Sequence, residues 1–483
     1  MMDASISGPG GREVSLEDVL PGARFVACSG MRTARCSDDA EACGRGDVFV
    51  ARVTPRGDGH DRVARALARG AAGVVAERFV PTAGVPLCLV PDSNWAFARL
   101  RHALAGDPSH ALKVIAVAGT VGKTTTSWLA AAVLAEAGLR VGVISDLGCL
   151  DADATAAECC DHERPEVLAA WLERFAVRRC RLAIVETTDR MLAAHALAGV
   201  ACDTVAITNV VAPRSARMAT QRLRRRALDA LRPGGCLIAG TRGLDRLLDH
   251  AAAHESDRTC LTVGRAGDVT ARRLDRGLGG QAFLLAAAGQ SVPVTVDTPV
   301  PSFARDAAVA AAIGMRYGVP LHVAARGIEA AGAVAGRVER LDRGQDFAAF
   351  LDRAGSRPGV EATLGALRRL TGGRLAVVAE ARAIADQGGR SAGRRIAARC
   401  DELVVVPAGM MDETVGPGGL AAYARIDRLL DGLGRDDCLL VLGGRPRRRG
   451  QDGDGHDIAA VVDGWLRLAH PFRGLAPAGH RAA

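Results

Sequence analysis

Aromatic residues make up 3% of this 483-residue chain, and two of them are tyrosines. That scarcity excludes a surface built on base stacking, so no nucleic-acid partner is expected. It also leaves the cores to Ala, Val, Leu and Ile, which a hydrophobic content of 48% supplies. A charge-free apolar run of about eighteen residues is missing, so no membrane insertion is expected. The opening segment MMDASISGPGGREVS lacks an apolar stretch with basic flanks, which argues against a signal peptide. Thirteen cysteines are scattered without a C-x-x-C pair, and the adjacent Cys159 and Cys160 are badly placed to share a metal. The chain therefore reads as a reduced, cytoplasmic protein with free thiols, not a disulfide scaffold or a zinc site.

The formal net charge of +8 is mild for this length. It fits a solvated, Arg-rich surface, and it also fits an anionic small substrate such as a nucleotide. Two local runs stand out: Arg222, Arg224, Arg225 and Arg226, then Arg445, Arg447, Arg448 and Arg449. The length suggests two to four domains.

Three blocks separate along the chain. Residues 1–110 mix short strands (Asp47 to Ala51, Val74 to Ala76, Pro86 to Val90) with a helix from Val63 to Arg69, as in a small α/β domain. Residues 111–335 alternate strands and helices. The strands are Val114 to Ala118, Val141 to Ile144, Leu182 to Val185, Thr204 to Ile207 and Cys236 to Ala239. Continuous apolar runs of this kind suit parallel strands buried on both faces, so a doubly wound parallel sheet is expected. A different texture starts at Val292 to Val296, and an Ala-rich helix runs from Asp306 to Met315. Residues 336–483 hold a helix around Val360 to Leu370 and strands at Leu375 to Val378, Leu403 to Val406 and Cys438 to Leu442, a second, Rossmann-like α/β sheet.

The strand Val114 to Ala118 runs into Gly119-Thr120-Val121-Gly122-Lys123-Thr124-Thr125 and then a helix from Ser127 to Glu136. Glycines let backbone N–H groups approach phosphate oxygens, and the helix turns its positive end toward them. Lys123 can place a charge on the outer phosphates, and Thr124 can offer its hydroxyl to magnesium. ATP and Mg2+ are the cofactors this loop predicts. Glu186, at the end of an apolar strand, lies at the carboxyl edge where such sheets bind ligands. His60 and His162 are candidate polar contacts, although a lone histidine is more often a structural or surface residue. Asp189 is a further candidate contact or a helix N-cap.

The loop departs from G-x-x-x-x-G-K, since Val117 stands where the first glycine would be. Its G-T-x-G-K-T-T form resembles the loop of the Mur ligases and folylpolyglutamate synthetases, which join a carboxylate to an amine through an acyl phosphate made from ATP. Other passages resemble the same family in order, most closely its UDP-N-acetylmuramoyl-tripeptide synthetases. Gly46 to Ala51, Asp58 to Asp61 and Ala64 to Val75 resemble the domain that holds the UDP moiety. Val185-Glu186-Thr187-Thr188 resembles E-V-S-S, whose glutamate helps hold magnesium, and Thr208-Asn209 resembles the family's T-N. Gly336-Arg337-Val338-Glu339-Arg340, followed by Gly344 to Phe347 and Asp352, resembles the opening of the C-terminal domain. The resemblance implies a three-domain architecture, a UDP-muramoyl-peptide-like anionic substrate, an amino acid as second substrate, and a monomer. Asn209 joins Gly119 to Thr125 as an implied nucleotide contact, and Thr124 with Glu186 as implied magnesium ligands.

The departures bear on catalysis. The family's T-N-x-x-x-D-H-L-D reads Thr208-Asn209-Val210-Val211-Ala212-Pro213-Arg214-Ser215, without the histidine. The carbamylated lysine that bridges magnesium ions falls at Arg226, which cannot be carbamylated. Arg226, or its neighbours Arg224 and Arg225, could instead supply a fixed positive charge; a solvated helix face explains the run equally well. F-N-x-x-N reads Phe303-Ala304-Arg305-Asp306-Ala307. D-Y-A-H-T-P reads Asp352-Arg353-Ala354-Gly355-Ser356-Arg357, Pro407-Ala408-Gly409-Met410 replaces D-N-P-R, and Gly443-Gly444-Arg445-Pro446-Arg447 replaces G-K-G-H-E. Two functions remain open: an active Mur-type amide ligase, and a Mur-like protein that binds nucleotide without ligation. A P-loop switch or transport ATPase explains neither the Gly46 to Val75 match nor the Gly336 to Arg340 match.

Overall fold

The computed structural model describes residues 12–55, 57–153, 156–157, 161–211, 216–240, 259–353, 356–407, 417–443 and 462. The second arginine run, the Ala212 to Ser215 departure, Cys159-Cys160, Ala354-Gly355, Ala408 to Met410 and Gly444 to Arg447 lie outside the described residues. The chain divides into two compact units: Met1–Gly119 with Ala137–Thr262, and Thr120–Glu136 with Val263–Ala483.

The first unit opens with a five-stranded sheet ordered Arg24–Val26, Leu87–Leu89, Gly73–Ala76, Val48–Val50 and Cys36–Ser37. Its strands are short, with Gly73–Ala76 and Val48–Val50 wholly buried, and helix Ser93–Leu104 covers it through Ala96, Phe97 and Leu100. Asp92 starts that helix by accepting the N–H groups of Asn94 and Trp95, both at 2.9 Å, which satisfies two of the free donors of a first turn.

Farther along, the strands Gly148–Leu150, Val141–Ser145, Leu182–Glu186, Lys113–Ala118, Cys202–Ile207 and Leu231–Gly240 lie side by side in that order. All the pairings except that of Gly148–Leu150 are parallel. The predicted doubly wound sheet is present, and the continuous apolar runs are buried end to end because helices cover both faces. The register sets Val117 beside Glu186 and Ala118 beside Ile207, so three strand ends finish level at one edge. The chain leaves the central strand for one side of the sheet and later returns to the other, which makes this edge a topological switch point.

The second unit contains helix Lys123–Glu136, which begins four residues earlier than the sequence suggested. It packs against helices Pro301–Arg316 and Leu321–Ala331. Two glycines permit the close approach. A Cβ on Gly314 would run into Val133 Cγ1, and one on Gly327 would stand 2.9 Å from Val133 Cα and 3.0 Å from the Ala132 carbonyl oxygen. An antiparallel ribbon of Val269–Gly277, Gly280–Ala287 and Gln290–Val296 follows the unit's start. A separate sheet is ordered Arg337–Leu341, Ala348–Asp352, Cys438–Leu442, Leu375–Glu380 and Glu402–Val406, antiparallel at its first pair and parallel beyond. This is the expected Rossmann-like α/β sheet. Among the described residues no helix is long and apolar enough to cross a membrane.

Candidate functional site

In the first unit, backbone hydrogen bonds lace the three strand ends together. Thr187 N–H donates to the Val117 carbonyl at 2.8 Å, and Thr208 N–H to that of Ala118 at 2.9 Å. Gly119 leaves this edge at φ +146, a backbone that side chains rarely adopt. A Cβ there would strike the Thr208 hydroxyl and lie 3.3 Å from Asn209 N, so only glycine fits. Glu186 is buried, and its Oε2 accepts the Asp146 N–H at 3.1 Å. Asn209 is also buried; its Nδ2 donates to Thr208 Oγ1 at 3.2 Å, so it braces this edge from within.

In the second unit, Thr120, Val121, Gly122 and Lys123 are half-buried, and Gly122 takes φ +87. The helix starts at Lys123 and Thr126 N–H returns to the Gly122 carbonyl at 2.8 Å. The helix N-terminus therefore lies directly on the loop, the arrangement that binds phosphate. Thr124 is buried, and its hydroxyl accepts from Arg337 Nη2 at 3.1 Å. The same guanidinium holds the Arg353 carbonyl through Nη1 at 2.5 Å. Gly122 faces Asp306 so closely that a Cβ would stand 2.7 Å from the carboxyl carbon. Asp306 is buried with Oδ1 unpartnered, and desolvation pushes its carboxyl up to about 7 against the opposing pull of Arg305.

Helix Arg217–Asp229 carries the arginine run. The inward position belongs to Arg224 rather than to Arg226. Arg224 is fully buried, donates to Asp189 Oδ1 at 2.5 Å, and keeps Nε and Nη2 without partners. Arg226 turns instead to the end of the Asp189–Ala193 helix, where Nη1 donates to the Leu192 and Ala193 carbonyls at 3.2 and 3.1 Å. Asp189 is thus the partner of Arg224, and Thr188 rather than Asp189 caps its helix, by accepting Met191 N–H.

His60 is a structural histidine: its Nδ1 donates to Asp58 at 2.5 Å and its Nε2 accepts the Glu77 N–H at 3.0 Å. His162 is buried 3.6 Å from Asp146, the residue whose N–H holds Glu186. Sequence reasoning placed Arg337 and Asp306 only as positions in a resemblance. Their contacts to Thr124 and Gly122 are long-range, and no local pattern announces them.

The donor set decides which metal chemistry fits. A threonine hydroxyl and a carboxylate are hard oxygen ligands of the type magnesium takes. A guanidinium has no acceptor and cannot ligate a cation. Thr124 in the second unit and Glu186 in the first each offer an oxygen of that type, whereas Arg224 and Arg226 can supply no ligand to a cation. Among the described residues no group of three or more His, Cys, Asp or Glu is placed to hold a metal.

Parallel-rich α/β sheets, with a glycine loop running from a central strand into a helix, place the chain among multi-domain α/β proteins, and its structural neighbours have the Mur-ligase architecture. Residues 117–212 match the pattern of the Mur ligase middle domain. The UDP-N-acetylmuramoyl-L-alanyl-D-glutamate–2,6-diaminopimelate ligase of Bacillus licheniformis is 29% identical over 349 residues, covering 70% of this chain and 71% of the relative. The UDP-N-acetylmuramyl-tripeptide synthetase of a Roseiflexus species is 28% identical over 76% of each chain. Among solved structures, a UDP-N-acetylmuramoyl-L-alanyl-D-glutamate–2,6-diaminopimelate ligase superimposes with a TM-score of 0.65 at 17% identity, covering 96% of this chain and 100% of the other. MurF ligase from Thermotoga maritima in complex with ADP gives a TM-score of 0.55 at 16% identity, over 85% and 94% of the two chains. The chain belongs to the Mur ligase family.

Proposed function

We propose that this chain is an ATP-dependent carboxylate–amine ligase acting on a UDP-muramoyl-peptide-like substrate in peptidoglycan precursor synthesis, in the cytoplasm. The observation that carries the reading is the loop itself: Gly119 and Gly122 in backbones that favour glycine, opening onto the first turn of a helix. ATP supplies the phosphoryl group that turns a carboxylate into an acyl phosphate, and magnesium neutralises the phosphates during transfer. The chain's own residues divide the remaining work. Backbone N–H groups from Gly119 to Thr125 cradle the phosphates, and Lys123 adds a point charge. Thr124 and Glu186 provide oxygen donors for one ion. Asn209 keeps the strand edge at Thr208 in shape.

A second reading has its own support. The helix in which the resemblance places a carbamylated lysine turns a guanidinium inward at Arg224. A Mur-type protein so altered could hold nucleotide without ligating. Purified protein with Mg-ATP, a UDP-muramoyl dipeptide and a panel of amino acids separates the two readings. Phosphate release together with a new amide supports the ligase. ATP binding with no product from any amine overturns it and leaves the binding protein. Lys123→Ala binding ATP as tightly as the unaltered chain would sink the loop assignment under both.

A further inference from the structure

The first unit has a cavity of about 280 Å³ that the ligase reading does not use. Its lining combines apolar Leu192, Leu197 and Trp95 with Arg226, Asp229 and His195. Arg226 is oriented by the two carbonyls that its Nη1 binds at the end of the Asp189–Ala193 helix. That anchors one edge of the guanidinium and leaves its remaining N–H groups for another acceptor. The Asp229 carboxylate, exposed three residues later on the same helix, makes no hydrogen bond or ion pair among the described residues and lies near His195. His195 is held at the rim by Asp92, Nε2 to Oδ2 at 3.2 Å, with its backbone in the left-handed region at φ 53. Burial lowers the His195 pKa; Asp92 and Asp229 oppose this and Arg226 reinforces it, so these charges share one neighbourhood.

A fixed cation and a carboxylate, three residues apart on a helix, stand roughly 5–6 Å apart at their Cβ atoms. A dianion would meet repulsion from Asp229, and a simple cation would meet it from Arg226. A zwitterion with both charges on one carbon satisfies both groups, and an apolar side chain on that carbon finds the leucine and tryptophan wall. We propose that this cavity binds a free α-amino acid with an apolar side chain. Its carboxylate lies on Arg226, its ammonium on Asp229, and its side chain against Leu192, Leu197 and Trp95. This gives Arg226 a role separate from the nucleotide loop.

Calorimetric titration of the full chain, without ATP, tests the proposal with leucine, leucinamide and N-acetyl-leucine. Leucine should bind, and each blocked derivative should bind at least about 10-fold more weakly, because each deletes one charge pairing. Asp229→Asn should weaken leucine by about 10-fold while leaving N-acetyl-leucine unchanged; Arg226→Gln should weaken leucine and leave leucinamide unchanged. Both positions are exposed, so the folded state can be verified by an unchanged melting profile. No binding of leucine or phenylalanine up to about 10 mM, or equal binding of the blocked and free forms, overturns the proposal. Lys123→Ala must bind leucine as the unaltered chain does, so loss of the ligase reading would leave this result standing.

Discussion

Replacing Asp306 by asparagine changes one oxygen for an NH2 group beside the loop and removes an ionisation. Asp306 is buried, its Oδ1 has no partner, and its carboxyl is raised from the ordinary 3.8 to about 7 by desolvation. A carboxyl whose folded value lies above its unfolded value withdraws stability as it ionises. The fold bears no such penalty below about pH 4, loses ~1.4 kcal/mol per pH step up to pH 7, and is level above that, for a total of about 4 kcal/mol. Asparagine brings its own unsatisfied polar atoms, about 1–3 kcal/mol, but that cost does not vary with pH. The diagnostic is therefore the slope. Between pH 5 and pH 7 the stability of Asp306→Asn relative to the unaltered chain should rise by about 2.7 kcal/mol and then stay constant. In a chain with two units a single unfolding free energy is poorly defined. Amide exchange in helix Lys123–Glu136, corrected for intrinsic rates and followed from pH 5 to pH 8, reads the local value instead. Parallel pH profiles for the two proteins would refute the claim that Asp306 ionises next to Gly122 at a cost.

The first unit should show the opposite limb. His102 is fully buried and depressed to about 4 by desolvation, so it folds neutral. Acidification from pH 6.5 to 4 should cost that unit about 3 kcal/mol, and His102→Met should flatten the acid limb in exchange measurements on helix Ser93–Leu104. Gly119→Ala forces a Cβ into the Thr208 hydroxyl at a positive φ; ATP affinity should fall at least about 10-fold in a filter-binding assay, and unchanged affinity would refute the close packing of this edge. Gly327→Ala gains up to about 1 kcal/mol of helix propensity but meets the backbone of Val133, which cannot move aside as a side chain can; a net loss of about 1–3 kcal/mol should appear as a lower melting temperature.

Parallel strands were the most legible part of the sequence. Val114 to Ala118, Leu182 to Val185 and Cys438 to Leu442 are buried on both faces, so their composition alone marks them. The ribbon from Val269 to Val296 was not legible as strands; only a change of texture at Val292 marked its end. Val269–Gly277 is largely exposed and arginine-rich, and antiparallel strands of that kind carry a weaker signal. The helix after the loop was placed late because Lys123 to Thr126 reads as loop chemistry, although these residues already form its first turn. Arg224 illustrates a signal that was present and overridden. Gln221, Arg224 and Leu228 fall on one helical face, and all three are buried. Helical spacing pointed inward at Arg224, while the charge of the run argued for solvent.

What the site retains and what it replaces differ in kind. The loop depends on backbone: positive φ at Gly119 and Gly122, strand ends locked by the Thr187 and Thr208 N–H groups, and a helix that starts at Lys123. Such devices work with any side chains that leave room for them, and every residue of the loop motif is in place. The replaced positions belong to side-chain donor sets. There an arginine in place of a lysine changes the chemistry outright, because a guanidinium can neither be carbamylated nor ligate a cation. The proposed nucleotide binding and the proposed ligation therefore rest on separate physical foundations in this chain. The contact between Arg337 and Thr124 adds a third element, since it puts a guanidinium on the hydroxyl proposed for magnesium. If that arginine competes with the ion for the Thr124 oxygen, Arg337→Ala should strengthen the magnesium dependence of ATP affinity; equal dependence in both proteins would mean that the hydroxyl serves the two partners at once.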